Sequence, residues 1–349
     1  MGRAMARETT VKDCNFCKRT PNANEKAFSS CSCCNVARYC SRQCQQKDWK
    51  IHKVSCVPRA KSKPPLNTAQ KECQDRMIEA QRCRRAGDRV GEGVALSKLG
   101  NAFDSLGQYK KAREFYTKSL HIFRGLGNRP GEGGALGNLG GAFFRLGQHN
   151  KAIEFHTKHL NISRELGDTD GESCALSNLG AVFGMIDQHD KAIEFFTQSL
   201  NISRKRGDRA EEGRASGNLG RTFHMLGQHN KALDFHTKSL NIFRELGDTA
   251  GESCALSNLG AAFGMIDQHD KAIEFFTQSL NISRKRGDRA EEGRASGNLG
   301  RTFHMLGQHE KAIEFFTKGL NICRELGDSV GENRISAMLT RWSVDPRFK

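Results

Sequence analysis

Residues 87–126 read GDRVGEGVALSKLGNAFDSLGQYKKAREFYTKSLHIFRGL, and the opening six residues set a rhythm for the rest of the chain. GDRVGE at 87 comes back as GNRPGE at 127, GDTDGE at 167, GDRAEE at 207, GDTAGE at 247, GDRAEE at 287 and GDSVGE at 327, always 40 residues on. A fixed period of that size means stacked supersecondary units, because one such unit cannot bury its apolar face without a neighbour.

Each unit reads as two helices. Asp88, Asn128, Asp168 and their equivalents are N-cap residues, and Glu92, Glu132 and Glu172 sit in the first turn near the positive helix end. Leu96, Leu99, Gly100 and Phe103 fall at i, i+3, i+4 and i+7, one apolar stripe. Gly107 breaks this helix, and a second begins near Lys110 with Ala112, Tyr116 and Leu120 on its buried side. Gly127 ends it. The chain is therefore expected to be all-α, with six 40-residue units over 88–327. Residues 67–87 line up with a degenerate second helix, and 328–349 open with a lone first helix striped by Ile335, Met338, Leu339 and Trp342. Both are expected to cap the array, since a stack otherwise leaves each end open to water.

The chain has 349 residues, 37% hydrophobic and 27% charged, with a formal net charge of +16. It contains no run of 18 apolar residues, so no membrane span is expected. The start, MGRAMARETT, is basic but leads into no apolar run, and Ala6 stands where a myristoylation site needs Ser or Thr. The expected compartment is the cytoplasm, with the nucleus open. A basic surface favours acidic partners of any kind and selects none of them.

Eight of the thirteen cysteines lie between 14 and 56; Cys73, Cys83, Cys174, Cys254 and Cys323 are scattered through helical sequence. That clustering indicates a metal site in a reducing compartment and not a disulfide framework. The spacing is Cys14-x2-Cys17, Cys31-x2-Cys34, Cys40-x3-Cys44 and His52-x3-Cys56. A two-residue gap lets a tight turn aim both sulfurs at one ion, and a three-residue gap puts two ligands one turn apart on a short helix. Eight sulfur and imidazole donors fit two closed tetrahedral zinc sites with no open position for catalysis. Cys33 is the spare thiol. With two zinc ions and seven thiolates counted, the net charge falls to +13.

This pattern, ending in RYCSRQCQQKDWKIHKVSC, resembles the MYND zinc finger over residues 14–56. The resemblance implies interleaved ligation, one zinc taking Cys14, Cys17, Cys40 and Cys44 and the other Cys31, Cys34, His52 and Cys56. It also implies a site for short proline-rich peptides, with Gln45 and Trp49 matching family positions near that surface. Residues 1–13 are then a tail and 57–66, which include Pro64 and Pro65, a basic linker. No long helix with base-reading positions follows the ligands, so direct nucleic-acid binding is the weaker alternative.

The landmarks L-G-x-x-F, then Gly, then Ala make the units resemble the 40-residue form of the tetratricopeptide repeat, as in polarity scaffolds and kinesin light chains. The resemblance implies a right-handed helical solenoid whose first helices line a groove for extended peptides. One departure is that the bulky aromatic expected early in the first helix is Leu or Ser. The positions implied to face the groove read Arg214, Gly217, Asn218, Arg221, His224 and Met225 in the fourth unit. In the sixth they read Arg294, Gly297, Asn298, Arg301, His304 and Met305. The third and fifth are nearly neutral, with Cys174, Ser177, Asn178, Ala181 and Gly184, then Cys254, Ser257, Asn258, Ala261 and Gly264. Asn138 completes the row of asparagines, and Cys174 and Cys254 are expected to be buried or half-buried. The alternation reflects duplication, since residues 171–250 and 251–330 agree at 71 of 80 positions.

No constellation in the sequence seats an enzyme: the glycines lie in helical sequence without a GxxxxGK[ST] loop, and the chain between finger and repeats leaves no room for the SET region of MYND-containing methyltransferases. The expected function is a protein-interaction adaptor or scaffold with two peptide sites, for acidic or proline-rich segments. The alternatives are a polarity or cytoskeletal scaffold whose finger is purely structural, and a transcriptional co-regulator.

Overall fold

The computed structural model of the chain describes Ser29–Ser30, Arg38–Tyr39, Gln46 and residues 68–343. Two compact units divide it, Met1–Asn67 and Thr68–Lys349. In the first, strand β1 (Ser29–Ser30) pairs antiparallel with β2 (Arg38–Tyr39), Ser29 opposite Tyr39. The eight expected zinc ligands, Gln45, Trp49, the tail and the linker lie outside the described residues.

Residues 68–343 of the second unit are helices joined by tight turns. A helix at Thr68–Arg85 precedes six helix pairs, from Arg89–Ser105 with Tyr109–Gly125 to Arg289–Met305 with His309–Leu326, and Ser329–Ser343 follows. The predicted caps form. Asp88 Oδ1 accepts from Gly91 N at 2.8 Å, Asn128 from Gly131 at 2.9 Å and Asp168 from Gly171 at 3.0 Å. Each such cap stabilises its helix by about 1 kcal/mol. Second helices from Gly167 onward end on a left-handed glycine, with φ near 65° at Gly167 and Gly247. The turn inside the third and fifth units uses an aspartate instead, Asp187 at φ 57° and Asp267 at φ 58°.

The two helices of a unit meet at a glycine. A Cβ on Gly100 would lie 2.4 Å from the Tyr116 ring, and the same close approach recurs for Gly180 on Phe196, Gly260 on Phe276 and Gly300 on Phe316. In the second and fourth units the ring is a histidine: Gly140 faces His156 and Gly220 faces His236, each imidazole 2% exposed. The leucine that opens the L-G landmark (Leu99, Leu139, Leu179, Leu219, Leu259 and Leu299) is at most 2% exposed in every unit. Where the family pattern expects an early aromatic, Leu136, Leu176 and Leu256 are buried. Ser216 and Ser296 are buried there too, with no hydrogen-bond partner for their hydroxyls among the described residues. A stacked phenylalanine pair also clamps each unit, as at Phe103 and Phe115 with centroids 5.3 Å apart. Lys111 and Lys118 lie over its two rings.

Each second helix packs on the following first helix, and successive first helices also touch one another. An ion ladder marks every junction. Arg124 pairs with Glu132, Arg164 with Glu172, Arg204 with Glu212, and so on to Arg324 with Glu332, at 2.8–2.9 Å. In the first, second, fourth and sixth units the carboxylate holds a second arginine, and in the last three of these it reaches on to a further glutamate, as Arg209 does from Glu212 at 2.6 Å to Glu245 at 2.5 Å. Burial works against the charge of Glu212, but hydrogen bonds from Arg204 and Arg209 overcome it and hold its carboxyl below the usual range. At the far end Ile335 is buried, and Met338 and Leu339 pack on the last core cluster.

Candidate functional site: the face of the first helices

Two recesses open side by side on the first helices. One, of about 390 Å³, takes Ser173, Cys174, Ser177 and Asn178 from the third unit, with Glu211, Arg214 and Asn218 from the fourth. The next, of about 380 Å³, takes Arg214, Asn218 and Arg221 from the fourth and Cys254 and Asn258 from the fifth. Arg214 and Asn218 line both, so five of the sequence-predicted groove residues (Asn178, Arg214, Asn218, Arg221 and Asn258) share one continuous surface. Asn138 is half-buried and lies apart from these recesses. Arg294, Asn298, Arg301 and His304 hold the matching positions in the sixth unit.

The arginines are not equivalent. Arg214 pairs with Glu211 one turn back in its own helix at 2.8 Å, and Arg294 pairs in the same way with Glu291. Those carboxylates also accept from the preceding unit, Ser177 Oγ donating to Glu211 at 3.1 Å and Ser257 Oγ to Glu291 at 2.9 Å. Arg221 and Arg301 have no carboxylate partner among the described residues. Arg221 Nη2 donates to Asn218 Oδ1 at 2.8 Å and Arg301 Nη2 to Asn298 Oδ1 at 3.4 Å. Two of the asparagines expected to be open to a ligand are thus already holding an arginine. Partial desolvation and the like charge of Arg334 pull the Arg301 guanidinium down. The charge of Arg301 reaches His224 two units away. Burial, His229 and that arginine together push the His224 imidazole down. The His224 ring rests edge-on against His229 at 5.8 Å, and His304 and His309 repeat the contact at 5.5 Å.

Two cysteines depart from the expectation that they are buried or half-buried. Cys174 and Cys254 are solvent-exposed. They stand on the groove side of their helices, opposite the core stripe, where Asn178 and Asn258 donate weakly to their sulfurs at 3.6 and 3.9 Å. Partial desolvation and the neighbouring Glu211 and Glu291 push both thiols up, which keeps them protonated and weakly nucleophilic.

Residues 14–56 match the MYND finger family, residues 132–205 and 251–325 match the tetratricopeptide repeat family, and 95–130 match a second tetratricopeptide description. The chain is a MYND finger followed by tetratricopeptide repeats. Among curated relatives it is similar to SET domain-containing protein 14 of Caenorhabditis elegans, 42% identical over 15% of this chain. It is also similar to zinc finger MYND domain-containing protein 10 homolog of Drosophila melanogaster, 53% identical over 9% of this chain. Those matches span 11% and 7% of the relatives' own length. Among solved structures, BtubC (BKLC) from P. vanneervenii superposes with a TM-score of 0.57 at 20% identity, covering 64% of this chain and 93% of that one. The apo form of RapI gives 0.57 at 15%, covering 74% and 100%. At such identities these likenesses show the fold alone.

Both the MYND finger and the tetratricopeptide array are typical protein–protein interaction modules. MYND fingers bind zinc, and the donor set here, seven thiols and one imidazole in close pairs, suits that ion. Among the described residues no cluster of His, Cys, Asp and Glu has the makings of a metal site, and no helix is long and apolar enough to cross a membrane.

Proposed function

We propose that the chain is a non-enzymatic adaptor with two peptide sites. The finger, holding two zinc ions through the interleaved ligand pairs, takes a proline-rich segment beside Gln45 and Trp49. The tetratricopeptide groove takes an extended, carboxylate-bearing segment. Joining both sites on one chain raises the effective concentration of one partner beside the other, in the cytoplasm or the nucleus.

The observation that supports the groove most is the state of its arginines. Arg214 and Arg294 are neutralised within their own helices, whereas Arg221 and Arg301 are held by neutral asparagine oxygens and keep their charge for a ligand. A carboxylate can replace the asparagine oxygen and form the stronger, charge-assisted pair. The test is fluorescence anisotropy with a labelled glutamate-containing peptide and its glutamine counterpart. The glutamate peptide is expected to bind the native chain and to lose binding to an Arg221→Glu, Arg301→Glu variant. Equal binding of both peptides, or no effect of the variant, refutes the proposal. Nucleic acid as the direct ligand would instead give binding that falls steeply with salt.

A further inference from the structure

Four methionines stand exposed at the ends of successive first helices: Met185 at 62%, Met225 at 54%, Met265 at 60% and Met305 at 54%. These large apolar side chains recur at the same helix position in each of the last four units, a regular row along the array and not a random scatter. Met225 and Met305 each lie four residues after Arg221 and Arg301, so each is one helical turn further along the same helix face. The arginines recur only in every second unit, because Ala181 and Ala261 take their place between. Over the last four units, the face therefore carries two superposed periods: an apolar contact in each unit, where the first two have Ser105 and Arg145 instead, and a free positive charge in every other.

We infer that the groove selects a polypeptide segment with a matching double register, apolar residues at every third position and an acidic residue at every sixth. Packed helices lie about 10 Å apart, and a polyproline II chain advances about 3.1 Å per residue and returns each third residue to the same face, so one unit spans about three ligand residues and two units about six. Charge fixes the occupant as acidic, since Arg221 and Arg301 have no carboxylate of their own among the described residues. Unbranched, polarizable methionine adapts to differing apolar side chains, so register and not side-chain identity sets the preference. The inference rests on the peptide-binding groove proposed above and adds the spacing that the ligand must obey.

The test uses the full chain and three labelled peptides. The first is Glu-Ser-Leu-Ser-Ser-Leu written twice in tandem. The second has the same composition with its glutamates brought three residues apart, and the third replaces every leucine by serine. The in-register peptide is expected to bind at least ~10-fold tighter than either control. Replacing the four methionines by serine, all more than half exposed and so dispensable for folding, should cancel its advantage over the leucine-free peptide. The same replacement should leave its advantage over the close-spaced peptide in place. Arg221→Glu with Arg301→Glu should abolish binding of all three. If the three peptides bind the native chain equally and the arginine variant still loses them, the groove reading stands and the register falls. If none of them binds, both fall.

Discussion

Acid should weaken this array through two residues that have no counterpart in the other units. His156 and His236 occupy the ring position that Phe196, Phe276 and Phe316 hold elsewhere, pressed against Gly140 and Gly220. Burial pushes both imidazoles down to about 4, helped by the nearby positive charge of His159 at the first and of His224 and Arg221 at the second. An unfolded histidine titrates near 6.5. Between those values the unfolded chain binds protons that the folded one refuses, so stability is full above pH 6.5 and is lost as the pH falls toward 4. At pH 5 the loss works out at about 2 kcal/mol per histidine. Urea unfolding followed by circular dichroism at pH 7, 6 and 5 measures it, with a His156→Phe, His236→Phe variant as reference. The wild type should fall about 4 kcal/mol further than the variant between pH 7 and 5. The junction carboxylates do not confuse that window, because Glu132, Glu212 and Glu292 are held below their usual range and titrate at lower pH. Parallel curves for wild type and variant would refute the reasoning.

Three further outcomes follow from the packing and the finger. Gly140→Ala puts a Cβ 2.6 Å from the His156 ring and should cost about 2–3 kcal/mol, whereas Gly141→Ala, with nothing within 4 Å, should be neutral or stabilise by up to about 1 kcal/mol. Thermal melts of the pair distinguish them, and equal shifts would contradict the close approach. Asp187→Gly and Asp267→Gly relieve a left-handed backbone at φ 57° and 58° and should each raise stability by about 0.5–1 kcal/mol, read from urea midpoints; a drop would show that the long contacts of the aspartates with His189 at 3.8 Å and His269 at 3.7 Å outweigh the strain. In the finger, Cys33→Ser should keep the zinc content of the wild type while Cys34→Ser lowers it, by metal analysis of the purified chains, and equal loss in both would reassign the ligands.

The helical architecture was legible because each local device repeats. An N-cap at 88 that could be chance is compelling when it returns at 128 and 168, and the Gly100–Tyr116 approach is announced by a glycine inside an otherwise helical stripe. The ion ladder was not legible. Arg124 and Glu132 are eight residues apart across a helix boundary, a spacing at which neither helix periodicity nor strand alternation brings side chains together. The groove was half legible. Positions opposite the apolar stripe do face the recesses, but charge counts alone could not separate Arg214, satisfied by Glu211 on its own helix, from Arg221, three residues from an asparagine. Cys174 departs from expectation for a related reason: cysteine's usual preference for the interior yields to the helix phase, which turns this position to the groove.

The central claim, that finger and groove recruit different partners, is tested most directly by capture from cell lysate. Wild type, a Cys14→Ser, Cys31→Ser variant and an Arg221→Glu, Arg301→Glu variant would be immobilised as full chains and the retained proteins identified. The account predicts that each variant loses its own set of partners and keeps the other's. One common set, lost together or kept by both variants, would contradict it.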